Sequence, residues 1–245
     1  MKNFFKKLWQ GLKNFFGQDD GLTPSPVPPI VNPEPSVPTE PTTPGGRFGA
    51  LTNLSIGDHG IDISHHNSSV NLTKVKEKQK FVIMKATEGG SFLSKVYKER
   101  IVEATKLGIP CGAYHYYRTN VDWKVQADHF LKYFQGNIPP VLDIEAIDNK
   151  DFSSKHTQDC LKILKYLEEK TGMTPIVYSG YYFLRDVVKP SFEWSRYPLW
   201  LSWYTADFNR VKCPWPWTKI NIWQYSETAQ IEGVGKCDAN IFNGL

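Results

Sequence analysis

The sequence predicts an α/β chain, in which a modified (β/α) TIM-like barrel is preceded by an amphipathic helix and a proline-rich linker. Three observations carry this reading. Nine of the 17 prolines lie between Pro24 and Pro44. The segment before them carries aromatics and lysines at helical spacing. The segment after them alternates short apolar runs with helical patterns. The expected boundaries are 1–17 for the helix, 18–46 for the linker and 47–245 for the barrel.

The first piece reads MKNFFKKLWQGLKNFFG. At 100° per residue Phe4, Phe5, Leu8, Trp9, Leu12, Phe15 and Phe16 share an arc of about 140°, while Lys2, Lys6, Lys7 and Lys13 fall outside it. A helix with one aromatic face and one cationic face suits an anionic membrane surface. It suits a docking partner equally well. An export signal fits less well, because lysines interrupt the apolar region and no small-residue cleavage site follows, so there is no recognisable signal peptide. The linker is fixed by its prolines in extended polyproline geometry, and its 21 residues from Pro24 to Pro44 would reach about 65 Å at roughly 3.1 Å each.

Within the third piece the apolar runs read as buried strands at 59–64, 81–87, 111–117, 139–145, 175–179, 198–203 and 220–225. Helical patterns fall at about 94–108, 122–135, 154–171 and 181–188, the longest stopping at Gly172. Alternation of this kind builds a largely parallel sheet covered by helices. Seven or eight strands favour closure over an open doubly wound sheet, and no G-x-G-x-x-G loop follows the first strand.

Composition narrows the function. A balance of 29 basic against 25 acidic residues leaves +4, too little for a nucleic-acid partner. Every hydrophobic run is interrupted by charge well short of a bilayer span. Four cysteines with no C-x-x-C pair give no disulfide scaffold, although Cys213 and Cys237 are a candidate bridge. His65 and His66 are adjacent, so on an extended chain they would point apart and hold no common ion. No metal and no cofactor is expected.

The remaining chemistry is acidic. In PPVLDIEA, Asp143 and Glu145 lie two apart and so on one strand face with Val141, while Leu142 and Ile144 face the other layer. Burying two like charges on an apolar strand is costly. Glycoside hydrolysis uses that arrangement: one carboxyl stays protonated as acid and its neighbour stays ionised. Asp62 ends the first strand and Asp238 lies in the last segment, KCDANIF. In a closed barrel those two segments are neighbours, which puts four acids at one mouth. Aromatics supply flat faces for sugar rings, with Tyr114, Tyr116, Tyr178, Trp203 and Tyr204 as candidate substrate contacts and His115 assigned to the outer layer. The loop 212–219 reads as a rim, with Trp215 and Trp217 as substrate contacts or packing.

The ordered motifs GIDISHH, FVIMKATEG, GAYHYYR with QADHF, PVLDIEA, PIVYSG, PLWLSWY, IWQYS and CDANIFNG closely resemble the glycoside hydrolase family 25, or Chalaropsis-type, lysozymes, from about Gly60 to Gly244. The resemblance implies an N-acetylmuramidase that cuts the β-1,4 bond between N-acetylmuramic acid and N-acetylglucosamine in bacterial peptidoglycan without metal or cofactor. It makes Glu145 the general acid/base and Asp143 its electrostatic partner. Asp62 and Asp238 become further acids of the pocket, and Gln224, in IWQYS, joins the substrate contacts. Cys237-Asp238-Ala239-Asn240 departs from the aliphatic flanks common in the family. The implied setting is the cell wall, for a phage lysin or a secreted bacterial enzyme. A non-catalytic wall-binding or virion protein would have no need of the acid pair. A chitinase-type barrel would need carboxylates where this chain has Ile138 and Val141.

Overall fold

A computed structural model describes residues 46–145 and 152–245. The helix expected at 1–17 and all of the linker except Gly46 lie outside the described residues. Among the described residues there are nine strands: β1 His59–Ile63, β2 Phe81–Glu88, β3 Phe92–Leu93, β4 Cys111–Tyr116, β5 Val141–Asp143, β6 Ile176–Gly180, β7 Leu199–Ser202, β8 Ile222–Ile231 and β9 Gly235–Phe242. Its α-helices are α1 Leu72–Lys78, α2 Tyr97–Lys106, α3 Trp123–Tyr133, α4 Ser154–Thr171 and α5 Tyr181–Asp186.

Eight strands close the barrel in the order β1, β9, β8, β7, β6, β5, β4, β2, with β2 returning to pair with β1 and β3 appended to its outer edge. The pairs from β4 through β8 are parallel, as are β1–β2 and β2–β4. The last strand departs from the expected parallel pattern. It returns as a hairpin from β8 and runs antiparallel to both β8 and β1.

Two apolar layers follow from strand alternation. Phe81, Ile83, Val141, Ile176, Trp200, Ile222 and Phe242 fill the barrel interior, together with Ala50 and Leu51 from the 3₁₀ segment Gly46–Asn53. Leu142, Ile144, Val177, Leu199 and Leu201 face outward beneath the helices. His115 belongs to that outer layer as expected, bonding Thr87 at 2.8 Å and packing on Phe130 of α3. Gly60 faces inward, where a Cβ would lie 2.5 Å from the Phe81 ring, so the ring occupies the space a side chain would need.

The helices begin and end on local chemistry. Asp122 caps α3 by accepting from the backbone N–H groups of Lys124 and Val125, and Ser153 with His156 forms a capping box on α4. Gly172 stops α4 in the left-handed conformation at φ 68°.

Several expectations are corrected. Strand β5 is shorter than 139–145 and ends at Asp143. Helix α1, capped by Asn71, is a single short element with too few apolar residues for its periodicity to stand out. The helices expected at 94–108, 122–135 and 181–188 are trimmed at their ends. His65 and His66 occupy a turn after β1 rather than extended chain, so their rings lie 4.0 Å apart. Cys213 and Cys237 are both free. The loop 212–219 precedes β8 and, with Pro198 and Asn221, lies at the N-terminal end of the barrel strands, away from the mouth. There Trp217 is packing: it is buried and donates to the Tyr197 carbonyl at 2.9 Å. Among the described residues no helix is long and apolar enough to cross a membrane.

Candidate active site

The inward positions of the barrel change character along the strands. At the N-terminal end they are apolar. At the C-terminal end they are Asp62, Lys85, Tyr114, Tyr116, Asp143, Tyr178, Gln224, Asp238 and Asn240, a polar layer over a hydrophobic floor. Function in α/β barrels collects at this end.

Asp143 is the last residue of β5 and only 4% exposed. It sits in register between Tyr116 of β4 and Tyr178 of β6. The chain then leaves the strand, yet the ladder continues through Ile144, whose N–H donates to the Tyr178 carbonyl at 3.0 Å and whose carbonyl accepts from Ser179 Oγ at 2.6 Å. That extension delivers Glu145, half-buried, to the same side as Asp143, and the two carboxyls share a hydrogen bond. Burial raises both above the usual carboxylate range, and the charge of Glu145 raises Asp143 further. Both carboxyls therefore favour the protonated form more than a free carboxylate does, Asp143 the more strongly. Among the described residues Asp143 Oδ1 is buried with no hydrogen-bond partner.

A second acid pair stands beside the first. Asp62 of β1 and Asp238 of β9 are direct cross-strand partners. Burial pushes Asp62 up to about 6 against hydrogen bonds from Asn240 and Gln224. It pushes Asp238 up to about 9, with the Asp62 charge adding to the effect. Asp62 Oδ2 accepts from Asn240 Nδ2 at 2.8 Å and Gln224 Nε2 at 2.9 Å. Gln224 Oε1 in turn accepts from Tyr178 OH at 2.8 Å and Tyr204 OH at 3.0 Å. One amide side chain thus links the second acid pair to two phenols of the mouth. Burial and the fields of Asp143, Asp62, Asp238 and Glu145 all push the Tyr114 phenol upward.

The other expected contacts are distributed more widely. Tyr116 is on the predicted face but buried, with the Lys85 ammonium 4.8 Å and the Arg118 guanidinium 5.0 Å from its ring centre. Trp203 stands to one side of the acid network and packs on Tyr181 of α5 with ring centres 4.4 Å apart. Tyr204 is 46% exposed.

Four residues went unread in the sequence: Asn240, Lys85, Glu88 and Arg118. Lys85 bonds Glu88 at 2.6 Å, and Arg118 Nε bonds the other oxygen of Glu88 at 2.7 Å. Burial would raise Glu88, but these two cations outweigh it and hold it low. The available signal was alternation. Lys85 follows inward-facing Phe81 and Ile83 by steps of two, and Asn240 follows Asp238 in the same way. Among the described residues no cluster of three His, Cys, Asp or Glu side chains could hold a metal ion.

Residues 61–234 match the family described as Glycosyl hydrolases family 25. The chain belongs to that family. Membership makes this family 25 protein a glycoside hydrolase. It is 31% identical over 200 residues to YegX of Escherichia coli K12, described as uncharacterized, covering 76% of this chain and 70% of that protein. It is 28% identical over 209 residues to Lysozyme M1 of Streptomyces globisporus, covering 77% and 68%. Among solved structures, the bacterial lysozyme from Streptomyces coelicolor superposes with a TM-score of 0.71 at 27% identity, covering 78% of the family 25 chain and 94% of that lysozyme.

Proposed function

We propose that this glycoside hydrolase is a lysozyme that cleaves the β-1,4 bond between N-acetylmuramic acid and N-acetylglucosamine in bacterial peptidoglycan. The observation that supports it most is the Asp143–Glu145 pair, two hydrogen-bonded acids with raised proton affinity at the C-terminal end of a barrel. Glu145, the more exposed of the two, takes the proton from Asp143 across their hydrogen bond and gives it to the glycosidic oxygen as the bond to the muramic anomeric carbon breaks. The N-acetylglucosamine 4-hydroxyl leaves. Asp143, ionised at that moment, stabilises the positive charge on the sugar or holds the substrate's acetamido group against it. Water then attacks the anomeric carbon, Glu145 takes its proton, and configuration is retained. Asp62 and Asp238, tied to Tyr178 and Tyr204 through Gln224, shape the adjoining sugar site together with Tyr114, Tyr116 and Trp203.

The protein acts in the cell-wall compartment, as a phage lysin or a secreted bacterial enzyme. Residues 1–17 bring it to an anionic membrane surface or a docking partner. A synthetic peptide of those residues should gain helicity on anionic vesicles, and a peptide that stays unbound removes the membrane reading. The activity is tested by digesting purified peptidoglycan and identifying the new reducing ends. Reducing N-acetylmuramic acid is expected. Reducing N-acetylglucosamine, or no new ends at all, would refute it.

A further inference from the structure

A lysine lies in the same inward layer as the acids. Lys85 of β2 follows Ile83 by two steps and is only 9% exposed. Its partner on β4 is Tyr114, and Glu88, at the end of the same strand, is the partner of Tyr116. Burying an ammonium is costly unless it is paired. Lys85 Nζ donates to Glu88 Oε2 at 2.6 Å and stands 4.8 Å from the centre of the Tyr116 ring.

Arg118 completes the clamp. Its Nε donates to Glu88 Oε1 at 2.7 Å, and its guanidinium stands 5.0 Å from the same tyrosine ring. Its backbone is fixed in turn by Gln126 of α3, a fully buried side chain that accepts from the Arg118 N–H at 2.8 Å and donates to its carbonyl at 2.9 Å. Glu88 is divided between two cations, so it offsets only part of the Lys85 charge.

The clamped ammonium stands beside the reacting pair, because Tyr116 is also the register partner of Asp143. Asp143 is faced by Glu145 on its own segment, by Asp62 of β1, by Tyr114 and Tyr116 of β4 and by Tyr178 of β6. Glu227 of β8 acts on Glu145 as well. Burial raises both carboxyls, Asp62 adds to it, and Lys85 pulls both back down. His65 and His66 face Lys85 from the turn after β1. Burial holds both below the usual imidazole range, His65 at about 4, so neither adds a charge near neutral pH. When Glu145 takes the proton of Asp143 and passes it on, a carboxylate is left in this buried layer. An ion formed there needs an opposite charge already in place.

We propose that Lys85 is a positioning residue for the proton transfer: its ammonium, clamped by Glu88 and Arg118 against the Tyr116 ring, is the fixed countercharge that stabilises the Asp143 carboxylate as its proton leaves through Glu145. The inference rests on the assignment of Asp143 and Glu145 as the reacting pair. Glu88 and Arg118 act at one remove, by keeping the ammonium on the ring. Bonded directly to Asp143 it would strip the proton that the reaction uses, whereas from the ring it eases the ionisation and leaves the proton in place.

The test follows release of reducing ends from solubilised peptidoglycan strands across pH, with the full chain as wild type, Lys85→Met, Lys85→Arg and Glu88→Gln, each checked for fold by circular dichroism. Lys85→Met should move both limbs of the kcat profile to higher pH by about one unit, the lower end of what a nearby opposite charge contributes. Its plateau kcat should fall by up to about tenfold. Lys85→Arg keeps the charge and should leave the limbs in place. Glu88→Gln removes the anion that draws Lys85 away from the acids and should move both limbs to lower pH. A Lys85→Met profile that is lowered with its limbs unmoved overturns the proposal, since the lysine would then be a structural part alone. So does a rise in KM at unchanged kcat and limbs, which would make it a substrate contact. Should Lys85→Met fail to fold, Glu88→Gln decides, and limbs that stay or move upward in that variant overturn the proposal. A wild-type chain that releases no reducing N-acetylmuramic acid would instead refute the functional reading.

Discussion

Asp62 and Asp238 face each other across the antiparallel β1–β9 pair, two carboxyls in one cross-strand position. Like charges directly opposite on a sheet are destabilising. The pair is held together by a proton, with Asp62 at about 6 and Asp238 at about 9.

This arrangement makes stability depend on pH. Both folded-state values lie above that of an unfolded aspartate, near 3.9, so the folded state binds more protons than the unfolded one between about pH 4 and 9. The contribution of the pair is fully present below about pH 4 and is lost as pH rises through 6 and then 9. Asp238→Asn removes the upper step. Its Tm should match the parent near pH 4 and exceed it by about 2–4 °C at pH 8, as read by thermal melts across pH. A pH-independent difference would contradict the shared proton.

Asn240 is the hinge of the neighbouring network. It donates to Asp62 Oδ2 and accepts from Trp200 Nε1 at 2.8 Å, and both residues it serves are buried. Asn240→Ala leaves the indole N–H without its acceptor and Asp62 short of a donor. Urea unfolding should show a loss of about 1–3 kcal/mol, and an unchanged midpoint would contradict this assignment.

The Asp143–Glu145 pair predicts the pH profile of activity. Its upper titration step is raised by burial and by the first charge formed. Asp143→Asn removes the carboxyl that holds the proton most strongly and leaves Glu145 to titrate alone. Besides lowering kcat, it should move the alkaline limb of the kcat profile to lower pH. A limb that stays in place would mean the two carboxyls do not share a proton.

The barrel was legible in the sequence because its floor is apolar: Phe81, Ile83, Val141, Ile176 and Ile222 lie in runs bounded by turns. Strand β9 was harder to read as a strand. Its inward residues Asp238 and Asn240 are polar, and the apolar Cys237 and Ile241 face the outer layer, which inverts the usual alternation. The distal part of β8 extends into an exposed hairpin and reads as loop. Asp143 and Glu145 stood out because two acids break one apolar run. Lys85, Glu88 and Arg118 did not, since two charges three apart on a strand give no sign that they pair, and Arg118 reaches Glu88 from 30 residues away. Trp215 was assigned to the rim from composition alone. Chain direction decides that point, because a loop that enters a parallel strand lies at the end opposite to the mouth.

The central claim is that Glu145 supplies the proton, and Glu145→Gln tests it most directly because the amide keeps the shape and removes the acid. Release of reducing ends from purified peptidoglycan should fall by about 10²–10⁴-fold with the fold intact by circular dichroism. A variant that clears cell walls at the wild-type rate would contradict the account.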